Sequence, residues 1–308
     1  MGLTLVEAAK LETGDVYKSG VIELYAGSSD ILTNLPFEGI TGNALKYNRE
    51  SSLPGVGFRG VNEAYTASTG VLNPQTEALV IAGGDLDVDK FIVDTQGAQQ
   101  RTVHEAMKVR ALGLAWTRKF IKGDTASDPR EFDGLQTRVT GSQVISAGST
   151  ANGAALSLAV LDEAIDQTLN PTHLIMSKAM RRKFSAAARD TAVFGYVTYT
   201  TDALGRRVAM YNDLPILALD LDNAGNAILP FTEAAVSGTD TATSIYVASF
   251  GPEALTGIEN GGIDVRDLGE LQTAPLYRTR IEWYNGIAIY NGRAVTRIKN
   301  IGNLAIVK

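Results

Sequence analysis

The chain contains no cysteine. Disulfide bonds, thiolate nucleophiles and cysteine metal ligands are therefore excluded outright, and a reducing compartment fits. Histidine is nearly absent as well, with only His104 and His173 in 308 residues. Imidazole supplies much of the acid–base chemistry that runs near neutral pH, so an enzyme built on this chain would have few candidates for it. No apolar run reaches the ~20 residues that a membrane-spanning helix needs. The start, Met1-Gly2-Leu3-Thr4-Leu5-Val6-Glu7, has neither a basic opening nor a continuous apolar stretch, so no secretory signal is read there. Met-Gly is also how a myristoylation signal opens, but Val6 stands where that signal has Ser or Thr. Positive charge is in deficit, 28 Lys and Arg against 34 Asp and Glu, for a net −6. A field of that sign does not draw the chain to nucleic acid.

What is present is a globular composition, 44% hydrophobic and 20% charged, with mean hydropathy near zero. That is ample for a sizeable core and consistent with about two domains. Residues 1 to about 33 read as an arm. Leu5, Ala8, Ala9 and Leu11 suit a short amphipathic helix, Val16–Leu24 a second segment, and Gly27-Ser28-Ser29-Asp30 breaks the pattern. From 38 to 84 the texture is extended. Ala44–Glu50 alternates like a strand, Ser51–Gly60 carries Pro54, Gly55, Gly57 and Gly60, Phe58–Tyr65 and Ala78–Ile81 suggest more strand, and Gly83-Gly84 closes the region. A two-stranded extension with so little to bury is marginal alone in water, so it is expected to pack on something else, a neighbouring subunit being the natural candidate.

Asp85–Val93 reads as a strand, with Leu86 and Val88 alternating with acids. A long helix follows over 97–122, with Asp94 or Thr95 as its N-cap and Gly123 as its stop. At ~1.5 Å per residue it is about 39 Å long. Two largely apolar stripes run along it, Val103, Met107, Ala111, Leu114, Arg118 and Ile121 on one and Ala106, Val109, Gly113, Trp116 and Phe120 on the other, which predicts burial on more than one side. Residues 151–250 read as a compact α/β unit: helix Ala154–Leu169, strand Thr172–Met176, helix Ser177–Arg189, and strands Pro215–Leu219 and Ser244–Ala248. The remainder is β-rich, with strands over Tyr277–Tyr284, Gly286–Tyr290 and Arg293–Ile298.

The motifs that would carry chemistry lack their context. Gly55-Val56-Gly57-Phe58-Arg59-Gly60 has the spacing GxGxxG, but Pro54 precedes it and no amphipathic helix follows to meet a pyrophosphate. His104-Glu105 opens a zinc-type pair, but Lys108 stands where the second histidine belongs, and a surface pair is the reading kept. His173 has no Cys or His partner and reads as a loop or edge residue. Asp85, Asp87 and Asp89 open like a calcium loop, but Lys90 replaces its glycine and Gln96 its closing glutamate, so a solvated strand face is expected. Asp220, Asp222 and Asn223 fail in the same way at Ala224, and Arg181-Arg182-Lys183 reads as a solvated helix face. No catalytic residue, metal ligand or cofactor is assigned.

The order of parts then carries the reading, together with the turn Arg130-Glu131-Phe132-Asp133-Gly134-Leu135-Gln136 after the long helix and the run Asn170-Pro171-Thr172-His173-Leu174-Ile175-Met176. In these features the chain resembles the major capsid proteins of tailed bacteriophages with the Hong Kong 97-type fold, many of which carry a similar Phe-Asp-Gly-Leu turn. The resemblance implies an α+β fold. It divides the chain into an N-terminal arm over 1–37, an extended loop over 38–84, a peripheral domain over 85–150 with the spine helix 97–122, an axial domain over 151–250, returning peripheral strands over 251–291, and a C-terminal strand over 292–308 assigned to the axial domain. It further implies hexamers and pentamers closing into an icosahedral virion shell around double-stranded DNA, assembled in the host cytoplasm. Expected partners are further copies of the chain, a portal protein, a decoration protein and, since the arm starts almost at Met1, a separate scaffolding protein. Lys46, Arg49, Phe58 and Arg59 on the extended loop are the expected inter-subunit contacts, and deleting Ser51–Gly60 is expected to block closed shells. Lys46 lies where some relatives crosslink, but no matching motif assigns that chemistry to it. The alternatives are an encapsulin-type compartment of the same fold, a cytosolic α/β enzyme using Gly55–Gly60, and another virion protein, which the long helix argues against.

Overall fold

The computed structural model describes residues 3–4, 29–97, 99–189, 197–201, 207–236 and 238–307. The helix expected near Leu5–Leu11 and the segment Val16–Leu24 lie outside the described residues. Strand β1 (Leu3–Thr4) is followed by helix α1 (Asp30–Asn34), which Ser29 caps by accepting a bond from the Ile31 N–H at 3.2 Å. Ile31, Leu32 and Leu35 are fully buried, so the segment expected as an arm ends inside the core. Strand β2 (Pro36–Gly39) leads to a two-stranded ribbon, β3 (Ala44–Ser52) and β4 (Val71–Ala78), and then to β5 (Val80–Asp89). Phe58–Tyr65, expected as strand, is irregular: the tip between β3 and β4 is fully exposed and has nothing to pair with.

Gly83-Gly84 does not end a segment but sits inside β5. There Gly83 faces β14 (Leu276–Ile289) so closely that a Cβ would lie 2.3 Å from the Ile281 carbonyl oxygen, and only glycine fits. β5 stops at Asp89 rather than Val93, because the Asp89 carboxylate accepts the Phe91 N–H at 2.8 Å and starts helix α2 (Lys90–Gln96). Asp94 and Thr95 are thus interior to α2 and cap nothing. Gly97, at φ +90°, closes α2, and the spine helix α3 runs over Gln99–Lys122. Its burial is one-sided in the first half. Val109, Trp116 and Phe120 are buried, whereas Val103 and Met107 of the other stripe are 53% and 63% exposed.

Strands β13 (Leu255–Glu270) and β14 form a long hairpin, and the order β1-β2-β13-β14-β5 makes a five-stranded sheet against the spine. At their junction Trp116 lies within 6.0 Å, centroid to centroid, of Phe37, Phe120, Phe132 and Trp283, and its indole N–H donates to Asn285 Oδ1 at 2.9 Å. After the spine come the one-turn helix α4 (Leu135–Arg138), β6 (Val144–Ser146), α5 (Leu158–Gln167), β7 (His173–Ser177) and α6 (Lys178–Ala187). Ser157 and Ser177 cap α5 and α6, which fixes where both helices begin. Strands β8 (Val197–Thr201), β9 (Arg207–Tyr211), β10 (Leu214–Leu219), β11 (Glu233–Ala234), β12 (Asp240–Ala248) and β15 (Val295–Gly302) complete an eight-stranded sheet ordered β6-β15-β12-β7-β10-β9-β8, with β11 on β12.

Both faces of that sheet are covered, which is why its central strands read as unbroken apolar runs. Leu174, Met176, Ile245 and Val247 pack toward α5 and α6. Their neighbours Ile175, Tyr246 and Ala248 turn to the opposite face and join the core that contains Trp116 and Trp283. One continuous core therefore ties the spine to the second sheet.

His173 is not an edge residue, since β7 lies between β12 and β10. Its ring stacks on Phe250 at 4.6 Å, and its Nδ1 is 2.8 Å from Thr172 Oγ1. Burial pushes its pKa down to about 4. The folded pKa lies below the unfolded value of ~6.5, so folding favours the neutral ring. Stability from this site is complete above about pH 6.5 and falls as the pH drops toward 4. We expect wild type to lose on the order of 2 kcal/mol more than His173→Gln between pH 7 and 4.5, read by urea unfolding. Equal pH slopes in the two proteins would place the titration elsewhere.

Candidate functional site: the ribbon, its root and the corner

The ribbon tip carries large apolar side chains with no core beneath them. Phe58 is 103% exposed, Val61 92%, Val56 90% and Leu53 76%. The tip nevertheless has a defined shape. Gly60 N–H donates to Glu63 Oε2 at 2.7 Å, Arg59 Nη1 to the Glu63 carbonyl at 3.2 Å, and Ser68 Oγ to the Gly55 carbonyl at 2.8 Å. The Arg59 guanidinium sits 5.1 Å from the Tyr65 ring centroid, within cation–π range. The glycines of the GxGxxG match therefore shape a solvent-exposed turn, and no helix follows them.

The expected contact residues divide along the ribbon. Phe58 and Arg59 are at the tip, and Lys46 is exposed on β3 opposite Thr76. Arg49 lies on the other face of β3 and turns into the protein, where Nη2 donates to the Ile289 carbonyl at 2.5 Å. Tyr47, two residues before it, points the same way. Its hydroxyl lies 2.9 Å from the Ile289 carbonyl oxygen and 3.2 Å from Glu77 Oε1. Burial, and then the Glu77 charge, raise the Tyr47 pKa and keep its proton on.

Glu77 on β4 is gripped by Arg138, whose Nη1 and Nη2 reach its two oxygens at 2.5 and 2.7 Å. This fork geometry is the strongest arrangement open to an arginine and a carboxylate. Arg138 belongs to α4, directly after the Phe132-Asp133-Gly134-Leu135 corner, and its Nε donates to the Asp133 carbonyl at 2.6 Å. The corner is rigid for visible reasons. Phe132 and Leu135 are buried. Asp133 Oδ1 accepts from the Thr125 N–H and Oγ1, both at 2.8 Å. Gly134 N–H donates to the Gly123 carbonyl at 2.9 Å. A Cβ on Gly123 would lie 2.2 Å from the Phe132 carbonyl, so Gly123 serves close approach at the corner as well as ending the spine. The corner thus anchors the ribbon to the spine.

Other charged groups read from sequence are tied down within the chain. Asp85 and Asp87 are each paired through two bonds, with Arg280 and Arg278 of β14, which hold both carboxyls below their ordinary pKa. They are a cross-strand ion-pair ladder rather than a merely solvated face. Glu105 is buried, not on the surface, and accepts from Thr279 Oγ1 at 2.7 Å. Lys183 donates to the Leu304 carbonyl at 2.7 Å and covers the Phe231 ring. Asp222 pairs with Arg118 of the spine. Burial opposes its charge, but bonds from the Asn226 and Ala224 N–H groups and from Arg118 outweigh burial and lower its pKa. Sequence reasoning missed Tyr47, Glu77 and Arg138. The usable signal was the two-residue alternation that puts Tyr47 on the face of Arg49.

A family model described as major capsid protein GP7 matches residues 13–171, just over half of the 308. No curated protein matches the sequence. Among solved structures, the SrpI encapsulin of Synechococcus elongatus is 15% identical with a TM-score of 0.66, over 90% of this chain and 89% of that one. The capsid of a native GTA particle is 14% identical with a TM-score of 0.62, over 89% and 91%. A chain from Mycobacterium phage Bobi is 13% identical with a TM-score of 0.60, over 88% and 89%. At such identities the likeness is one of fold, and that fold is the Hong Kong 97-type capsid fold expected from the sequence. The chain belongs to the major capsid protein GP7 family, structural proteins that assemble with their own copies into a phage-type shell.

Proposed function

We propose that this is the major head protein of a tailed bacteriophage, assembling as hexamers and pentamers into an icosahedral shell around double-stranded DNA. The observation that carries the proposal is the ribbon: a rigidly rooted extension whose apolar tip is fully exposed in the isolated subunit. Contiguous apolar exposure of this kind marks an interaction surface. Residues 85–150 and 251–291 then form the peripheral domain and 151–250 with 292–308 the axial one, the ribbon reaching across to a neighbour. Contacts of standard size, ~1,600 Å² each, repeated around every subunit would make the shell stable by multiplicity. A net charge of −6 suits a wall that must release its DNA. A separate scaffolding protein, a portal and a decoration protein complete the proposed partners, and assembly takes place in the host cytoplasm.

A second reading, an encapsulin-type shell around a cargo enzyme, is supported by the fold likeness to the SrpI encapsulin. Expressed protein is expected to give closed particles by negative-stain microscopy and a megadalton peak by size exclusion. Particles matured with the neighbouring packaging genes should hold nuclease-protected DNA. Copurification of a single enzyme in place of DNA would favour the encapsulin reading, and a small soluble oligomer would overturn both.

A further inference from the structure

Among the described residues, Arg49 has only neutral acceptors. Its Nη2 reaches the Ile289 carbonyl at 2.5 Å and the Tyr47 hydroxyl at 3.5 Å. Its Nε is buried and meets no acceptor among the described residues. The carboxylates around it are engaged, Glu77 with Arg138 and Asp133 with Thr125. Arg49, Glu77, Asp133, Arg138 and Ile289 line an open cleft of about 610 Å³ between the ribbon root and the body. On its far side Arg293 also gives Nε and Nη2 to backbone carbonyls, those of Gln167 and Asp166. Arginines exceed carboxylates in the cleft by one charge.

We propose that this cleft receives one carboxylate side chain from a neighbouring copy of the chain, paired with Arg49. The proposal rests on the shell reading above. Arg49 faces the cleft with its charge met only by neutral oxygens among the described residues, and a carboxylate is the stronger acceptor for a guanidinium. The chain as a whole has the matching sign, 34 acids against 28 bases. A phosphate fits less well: its charge of about −1.5 to −2 would sit beside Glu77 and Asp133 in a site with a single positive charge in excess. The contact would form only on assembly. It would fasten the ribbon root, already held by Arg138, to the adjacent subunit.

Arg49→Lys places an amine in the cleft, and carbodiimide joins an activated carboxylate to an amine within reach. Particles assembled from a mixture of light and heavy-nitrogen subunits distinguish links between chains from links within one. The expected result is a mixed-isotope peptide joining position 49 to an acidic residue, at least tenfold depleted when the subunits are dissociated before treatment. Arg293→Lys, across the same cleft, serves if the first variant does not assemble. Particles that yield only single-isotope links overturn the contact and leave the shell reading standing. Failure of wild type to form particles overturns the shell reading and this contact with it. An Arg49-dependent rise in melting temperature of the free subunit with inorganic phosphate, larger than with acetate, would assign the cleft to phosphate and overturn the carboxylate.

Discussion

Replacing residues 53–70 by Asn-Gly is expected to give a folded subunit that makes no closed shells. The tip is exposed throughout, and among the described residues its side-chain hydrogen bonds stay within the tip. Ser52 and Val71 are directly paired, so a two-residue turn can join them without shifting the register of β3 and β4. The closure cost of a loop grows only as about (3/2)RT ln n, so this shortening changes subunit stability by about 2 kcal/mol or less, in the stabilising direction. Assembly should instead be lost, because Phe58, Val56, Val61 and Leu53 have no role in the subunit's own core. Size exclusion and negative-stain microscopy read the result. This replacement is a sharper cut than removing Ser51–Gly60, which leaves half the tip and takes the end of β3. Normal shells from the shortened protein would remove the tip from assembly.

Trp116→Ala is expected to destabilise the dissociated subunit by about 3–5 kcal/mol, in the range for a large aromatic removed from a core. The ring is 3% exposed and touches aromatic side chains from α3, β2, β14 and the corner. Its loss also leaves the fully buried Asn285 Oδ1 without its indole donor, itself worth about 1–3 kcal/mol. Total stabilities are about 5–15 kcal/mol, so the variant would sit near unfolding. Trp116→Phe retains most of the packing and should lose roughly half as much. Urea unfolding monitored by circular dichroism measures both. A loss below about 1 kcal/mol for the alanine variant would mean that the neighbouring rings close the cavity.

Local structure was legible where a residue's spacing marks a covered helix face or where burial covers both faces of a strand. The spine stripe Val109, Trp116 and Phe120 is buried as its spacing predicts, and the corner Phe132-Asp133-Gly134-Leu135 is structural. The strand at Leu174–Met176 was legible because both of its faces are covered. The second stripe misled at Val103 and Met107, because spacing states which residues share a helix face and not whether anything covers it. The strand through Val93 misled as well, since the Asp89 cap acts within two residues and overrides the continuing alternation.

By itself, the sequence determined the class of protein: no thiol, little imidazole, no intact catalytic motif, one long helix beside an extension with little to bury, and a turn shared with phage capsid proteins. Only the tertiary structure decided how the extension is held. Arg138 and Glu77 are 61 positions apart, and Arg49 and Ile289 are 240 apart. Hydrogen bonds and ion pairs act over a few ångströms of space whatever the separation along the chain, so no local pattern marks such partners. The structure likewise turned Arg49 inward, away from the exposed face that carries Lys46, because successive side chains on a strand point to opposite faces and only the packed body fixes which face is covered.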